Sequence, residues 1–356
     1  MRKKSLVLLF PFLLAAIGCG SAGDSPSSPA GTGSSAEASA GAGKSSSAPI
    51  ALLNASYDPT RELWKELNER FIAQQQAAGN TVSIKQSHGG SGSQARAVID
   101  GLEADVVTLA MWSDTDQLRT KGLIKDGWED ALPNRSLPYT STIVFVVRKG
   151  NPKSIKRWAD LTGARIEIIT PNPKTSGNGK LAFLAAWGSV LQNGGTEDDA
   201  RKFVTQLYKQ VPVLDTAARG STTTFAQKGI GDVHLTWENE AHLEVTEANG
   251  ELEVVFPEAS ILAEPHVAVV DVNVDKKKSR EAAENYLKFL YTPEGQAVIA
   301  KHFYRPTDAT VLAANAASFP ALELFPVTMV AASWNDAQTK FFAEGAEFDR
   351  IYTGNK

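Results

Sequence analysis

An alternating α/β fold is predicted for this chain, and three features predict it. Val- and Ile-rich runs recur from residue 50 onward, helix-like stretches lie between them, and turns of Gly, Ser and Pro join one to the next. Strand candidates fall at 50–54, 82–85, 105–109, 141–147, 165–169, 211–214, 233–237, 252–256 and 267–272, where β-branched residues suit a pleated surface. Helix candidates fall at 60–77, 94–101, 181–192, 197–210 and 224–229. In the first of these, Leu63, Leu67 and Phe71, flanked by Trp64 and Ile72, form an i, i+4, i+8 stripe that reads as a core face. Strands alternating with helices imply mainly parallel sheets flanked by helices. The last quarter turns helical, at 279–291, 293–302 and around 334–344. A length of 356 residues suits two globular lobes better than one, and no internal repeat is present.

The first 48 residues stand outside this pattern. Met1-Arg2-Lys3-Lys4 is a positive start, residues 5–17 are short and mostly apolar, and Ala16-Ile17-Gly18 places small residues before Cys19. Thirteen residues are too few for a comfortable bilayer span. Residues 1–18 therefore read as a lipoprotein signal peptide, cleaved before Cys19, whose thiol is acylated. Cys19 is the only cysteine, so no disulfide can form within the chain. Residues 20–48 are nearly all Gly, Ser, Ala, Pro and Thr, too polar to bury a core, and read with Cys19 as a flexible tether. A random coil of this length spans about 30 Å.

Charge excludes one class of partner. Losing Arg2, Lys3 and Lys4 with the leader leaves 33 Lys and Arg against 40 Asp and Glu, a net charge of −7. Without a dense basic tract, nucleic acid is not a partner. Lys276, Lys277 and Lys278 do cluster, between Asp275 and Glu281, and read as a solvated helix start.

Four turns share one design, small or polar residues leading into a helix. They are Ser56-Tyr57-Asp58-Pro59-Thr60, Ser87-His88-Gly89-Gly90-Ser91-Gly92-Ser93, Pro171-Asn172-Pro173-Lys174-Thr175-Ser176-Gly177-Asn178-Gly179 and Ala217-Ala218-Arg219-Gly220-Ser221-Thr222. Asp58 suits an N-cap and Pro59 the first helical position. A helix start offers unpaired N–H groups and partial positive charge, glycine lets backbone approach closely, and serine adds a neutral donor. One such turn is ordinary loop closure. Four in an alternating chain, at the carboxyl ends of strands, point to convergence on one anion.

The residues in and around these turns also carry a resemblance. The stretches LNASYDPTREL (53–63), QSHGGSG (86–92), PYTSTIVFVVRKGNP (138–152), TPNPKTSG (170–177), ARGST (218–222), GIGDV (229–233), WENE (237–240) and SILAEP (260–265) resemble the periplasmic sulfate- and thiosulfate-binding proteins of ABC importers, from about residue 50 to the end. The resemblance implies a type II periplasmic-binding-protein fold with the anion in the cleft between two lobes, 49–139 plus about 265–356 and 140–264. It implies a monomer that needs no cofactor and delivers sulfate or thiosulfate to permease subunits, held by its lipid anchor in the periplasm or on the outer face of the cell membrane. It also implies the donors: the Ser91 and Ser176 hydroxyls, backbone N–H groups of Asp58, Gly177, Asn178 and Ala218, and the Trp237 indole. An indole N–H can only donate, which suits a ligand with only acceptor oxygens. Two positions depart from the family, which reads S-S-G-G-A-R or similar around Thr175–Lys180 and often Gly at Ala217. Asn tolerates unusual backbone angles, so Asn178 is expected to keep its N–H contact.

Other chemistries fit less well. Gly89-Gly90-Ser91-Gly92-Ser93 misses the nucleophile elbow at its last position, and Gly177-Asn178-Gly179-Lys180 lacks both the earlier glycine and the Ser/Thr of a P-loop. No enzyme activity is expected. His234, Glu238 and His242 have helical spacing for a metal, but 233–237 reads as a strand and scatters them, so no metal site is expected. His266 and His302 read as packed or surface histidines. A non-transport surface lipoprotein would explain the leader and tether but not the four turns. Among anions, thiosulfate, molybdate and phosphate are the alternatives to sulfate. Phosphate carries a proton near neutral pH and needs an acceptor, which an all-donor site withholds. Asp58 is the one carboxylate at these turns, and His88 the one nearby group that titrates near neutrality.

Overall fold

The computed structural model describes residues 49–163 and 165–353, so the leader at 1–18, Cys19 and the tether at 19–48 lie outside the described residues. The chain begins with β1 (Ile50–Tyr57), turns through a 3-10 segment at Asp58–Thr60 into α1 (Arg61–Ala77), and continues through β2 (Val82–Gly89), α2 (Ser91–Ile99), β3 (Val106–Leu109) and α3 (Trp112–Thr120). A left-handed turn, α4 (Pro133–Ser136), precedes β4 (Tyr139–Thr140) and β5 (Ile143–Arg148). Then come β6 (Ile168–Pro171), α5 (Gly177–Gln192), α6 (Glu197–Lys209), β7 (Leu214–Asp215), α7 (Ala218–Thr222), β8 (Val233–Trp237), α8 (Glu238–Glu247) and β9 (Leu252–Val255). The chain closes with β10 (Ala259–Ile261), β11 (His266–Val269), α9 (Asp271–Lys277), α10 (Arg280–Phe289), α11 (Pro293–Lys301), β12 (Arg305–Pro306), α12 (Ala309–Ala314), β13 (Glu323–Phe325), α13 (Trp334–Ala337) and α14 (Glu347–Thr353).

Two main sheets result, the two-lobed α/β architecture that the alternation predicts. The first has strand order β11-β3-β1-β2, parallel except at β11. The second has order β7-β6-β8-β5-β9 and is mixed, because β5 lies antiparallel to both β8 and β9. Register brings the ends of neighbouring strands level: Tyr57 stands opposite Gly89, and Ile169 opposite His234. The turns that follow β1 and β2, and those that follow β6 and β8, therefore leave each sheet on one edge.

Aromatic packing fixes each half. Trp64 and Phe71 of α1 meet Tyr286 at ring separations of 5.1 and 5.2 Å, and Leu63 and Leu67 are buried beside them, as the stripe predicts. Each such buried side chain contributes about 1.5–3 kcal/mol. Phe183 of α5 packs on Phe341, Phe342 and Phe348. Helix α14 thus lies on α6 of the second sheet, while α13 packs on α3 of the first.

Several local expectations change. Residues 267–272 are not one strand: β11 stops at Val269 and α9 starts at Asp271. Lys276 and Lys277 end that helix rather than start one, and they pair with Glu103 and Asp105, while Lys278 closes it at φ 57°. Cations favour this end because the helix dipole is negative there. Helices α3 and α8 are absent from the predicted pattern, since few apolar residues mark their faces, and so is α12, six residues long with none of them buried. The expected helix at 224–229 starts earlier as α7 and continues as one π turn over Thr223–Gln227.

Candidate anion-binding cavity

The four turns meet. Asp58, Ser91, Ser176, Gly177, Asn178, Ala218 and Trp237, all seven expected ligand-holding residues, line one small cavity, joined by Tyr57, Pro59 and Gly90. Glycine is what lets the walls come so close. A Cβ on Gly90 would lie 2.3 Å from the Thr175 carbonyl oxygen, and one on Gly177 would lie 2.5 Å from Ala110 Cβ. The turns before α2 and α5, from different sheets, therefore touch backbone to backbone. A roomier groove beside Trp128 has its charges already paired, Lys125 and Arg280 both with Asp271.

The cavity wall is an array of donors. Ser91 opens α2, Gly177 and Asn178 open α5, and Ala218 opens α7, so their N–H groups have no acceptor within the helix. Asp58 opens the 3-10 segment in the same way. Ser176 is the N-cap residue of α5 yet makes no cap bond, and its hydroxyl has no partner among the described residues. A serine there ordinarily spends its oxygen on the helix, so this hydroxyl is left for something else. Trp237 is fully buried and its Nε1 has no partner among the described residues either. Its ring packs 5.3 Å from that of Tyr57.

Acceptors, by contrast, are taken. Asp58 is not the N-cap residue of its own turn, because Tyr57 still belongs to the strand and holds that position. The Asp58 carboxylate instead accepts Arg61 Nε at 3.0 Å on one oxygen and the Arg219 N–H at 3.3 Å on the other, so it caps α7 from the opposite side. Arg219 in turn bonds Glu240 at 2.8 Å and Glu62. Both ends of the Asn178 carboxamide are engaged as well. Its Nδ2 donates to the Leu235 carbonyl at 2.9 Å and its Oδ1 accepts the Trp237 N–H at 3.1 Å. Its backbone is helical, so tolerance of unusual angles is not why Asn stands here.

Ser91 departs from expectation in one atom. Its hydroxyl donates to Asp114 Oδ2 at 2.6 Å and accepts the Ala110 N–H at 3.0 Å. The donor it can offer the cavity is its backbone N–H. Asp114 also accepts Lys180 Nζ at 2.9 Å. Asp114 went unnoticed in the sequence because α3 did, and Lys180 stood out only as a false P-loop lysine. His88 lies near this wall, half-buried. Burial pushes its pKa down to about 4, Arg61 adding to the effect and Asp58 opposing it. It is neutral from pH 5 to 8.

The three residues with metal-like spacing take separate partners. His234 sits on β8 and pairs with Glu244 at 2.9 Å, Glu238 pairs with Arg305 at 2.7 Å, and His242 stacks on Phe303 at 4.2 Å. His266 is buried edge-on to Trp128, and His302 bonds Glu66 at 2.9 Å.

Comparison with known proteins agrees with the fold. A family profile described as bacterial extracellular solute-binding protein matches residues 52–305. The sulfate-binding protein of Escherichia coli strain K12 is 52% identical over 305 residues, covering 85% of this chain and 93% of that protein. The thiosulfate-binding protein of Pseudomonas aeruginosa is 49% identical over 307 residues, covering 85% and 92%. Among solved structures, the sulfate-binding protein SubI from Mycobacterium tuberculosis H37Rv superposes with a TM-score of 0.75 at 31% identity, covering 82% of this chain and 99% of that one. A periplasmic thiamin binding protein, with TM-score 0.64 and 18% identity, shares the fold alone.

Proposed function

Because the chain belongs to the bacterial extracellular solute-binding proteins, we propose that it binds sulfate or thiosulfate outside the cytoplasm and delivers it to the permease of an ABC importer. The observation that carries this reading is the Trp237 indole, fully buried with its N–H unpartnered. Leaving such a donor unsatisfied costs about 1–3 kcal/mol, a cost that a bound acceptor removes. Around it stand the Ser176 hydroxyl and the first N–H groups of α2, α5 and α7. The same lining supports a ligand without protons to donate, since the carboxylate of Asp58 and the carbonyl oxygen of Asn178 are already occupied.

In this reading the anion is held by the Ser176 hydroxyl, the Trp237 indole and the backbone N–H groups of Asp58, Ser91, Gly177, Asn178 and Ala218. One lobe comprises 49–139 and about 265–356, the other 140–264. The protein binds as a monomer, catalyses no reaction, and hangs from the membrane by acylated Cys19 and its tether. Among the described residues no helix is long and apolar enough to cross a membrane. Equilibrium dialysis against labelled sulfate tests the reading: about one sulfate per chain is expected, and no retention of sulfate or thiosulfate overturns it.

A further inference from the structure

We propose that Tyr139 and Tyr304 are positioning residues of the anion cavity, which place the Asp58 N–H by holding the residue on either side of it. The proposal rests on the anion reading above. Tyr304 Oη donates to the Pro59 carbonyl at 2.8 Å, and Tyr139 Oη meets Tyr57 Oη at 3.4 Å. Both tyrosines belong to one small ladder: Tyr139 opens β4, Tyr304 immediately precedes β12, and Pro306 stands opposite Tyr139. Their rings pack at 4.6 Å. The ladder joins the two halves of the fold, since β4 leads at once into β5 of the second sheet while β12 follows α11, which packs on α1. Tyr57 also carries the ring on which Trp237 leans at 5.3 Å, so a second donor depends on the same cluster.

Local bonds shape the Asp58 turn without placing it. Thr60 Oγ1 donates to the Tyr57 carbonyl at 2.7 Å and meets Ser56 Oγ at 2.6 Å, all between near neighbours in the chain. The tie from Tyr304 spans 245 residues of sequence and sets the turn against the ladder. Asn239 Nδ2 is a second, longer donor to the same carbonyl, at 3.4 Å. A hydrogen bond weakens steeply as its donor swings out of line, so a turn free to tilt would misdirect the Asp58 N–H. The cluster suits its place in another way. Tyr57, Tyr139 and Tyr304 are buried, and burial raises the pKa of each phenol. They stay neutral near pH 7, so they set no negative charge beside a dianion. Neither Tyr139 nor Tyr304 lines the cavity, so each acts through the residue it holds.

The test follows sulfate binding to the full-length protein in two ways: affinity by calorimetry, and the sulfate-induced shifts of the Asp58 and Gly177 backbone amides by proton–nitrogen NMR. The variants are Tyr304→Phe and Tyr139→Phe, which lose one hydroxyl each. Tyr208→Phe is the control, because its buried hydroxyl lies on α6 and has no partner among the described residues. Tyr304→Phe is expected to weaken sulfate binding about three- to tenfold, the effect of losing one neutral hydrogen bond, and Tyr139→Phe to weaken it less. In both, the sulfate-induced shift of the Asp58 amide is expected to change while that of Gly177, on the wall built from the second sheet, keeps its wild-type value. Tyr208→Phe is expected to keep wild-type affinity and both shifts. Affinity within about twofold of wild type in Tyr304→Phe overturns the proposal, as does an equal loss in Tyr208→Phe. An unmoved Asp58 amide in either variant overturns it too, and so do Asp58 and Gly177 shifts that move together, which mean general loosening rather than a misplaced turn. If Tyr304→Phe does not fold, the amide shifts of Tyr139→Phe decide. If neither folds, the hydroxyls serve folding and the proposal falls. A wild type with no sulfate-induced shift at any cavity amide sinks the anion reading instead, a result separate from all of these.

Discussion

Asn178 holds Trp237 in place: its Oδ1 accepts the Trp237 backbone N–H at 3.1 Å, while its Nδ2 donates to the Leu235 carbonyl two residues back at 2.9 Å. The first turn of α5 is thereby stitched to the end of β8, and two sources of donors share one rigid frame. The amide of Asn178 thus has a structural task that its backbone conformation does not suggest.

Replacing Asn178 with Ala strands a buried N–H and a buried carbonyl. We expect a stability loss of about 2–4 kcal/mol for the two bonds together, read from urea unfolding, and at least tenfold weaker sulfate binding. Wild-type stability would mean that water or a neighbouring group satisfies both atoms.

The side-chain donors give a second test. Ser176→Ala and Trp237→Phe each remove one hydrogen bond to a charged ligand, a loss of about 1.5–3 kcal/mol or roughly 10- to 150-fold in affinity, with the fold intact by circular dichroism. Ser91→Ala is expected to weaken binding by a similar factor for a different reason, because it releases Asp114 and leaves the Ala110 N–H without its acceptor. Near-native affinity in all three would remove the side-chain part of the site.

How much of this was legible beforehand depended on the kind of signal. β8 is visible to the residue, because Val233–Trp237 is a short apolar run bounded by Gly231-Asp232 and by acidic residues. α1 is one residue shorter than its stripe predicts. α8 and α3 were not legible, since Glu238, Glu240 and Glu244, and likewise Asp114 and Asp116, are polar side chains that the fold buries by pairing them. Periodicity counts apolar residues and passes over such helices. The cavity's residues were readable from turn chemistry and family resemblance together. The use of each atom was not: Ser91 Oγ goes to Asp114, and Asp58 caps a helix on the far side, because those partners are distant in sequence.

Binding and folding should respond differently to pH. Sulfate and the donors do not titrate between about pH 5 and 8, and His88, held near a pKa of about 4, stays neutral there. Sulfate affinity is therefore expected to be flat over that range by calorimetry. Stability is not. His88 and His266 both have folded pKa values of about 4 against 6.5, so the unfolded state takes up protons first as pH falls. The urea midpoint is expected to hold above pH 6.5 and to fall between 6.5 and 4, less so in His88→Gln and His266→Gln. A drop in affinity between pH 6 and 7.5 that disappears in His88→Gln would show a charged imidazolium acting on the ligand.

Anchoring should separate cleanly from binding. Removal of residues 1–48 is expected to leave sulfate affinity within about twofold of the full chain, because all ten cavity-lining residues lie beyond Pro49. Cys19→Ala is expected to leave the leader uncleaved or to release the protein from membrane fractions. Loss of binding in the truncated but folded protein would mean that the first 48 residues contribute to the site.

The central claim is that the cavity presents donors and withholds acceptors. Calorimetric titration of one preparation with sulfate, thiosulfate, molybdate and phosphate at pH 7 tests it most directly. The account predicts tight one-to-one binding of sulfate or thiosulfate and far weaker binding of phosphate, whose proton finds Asp58 already bonded to Arg61 and Arg219. Preference for phosphate would contradict it, because a carboxylate would then have to face the ligand as an acceptor.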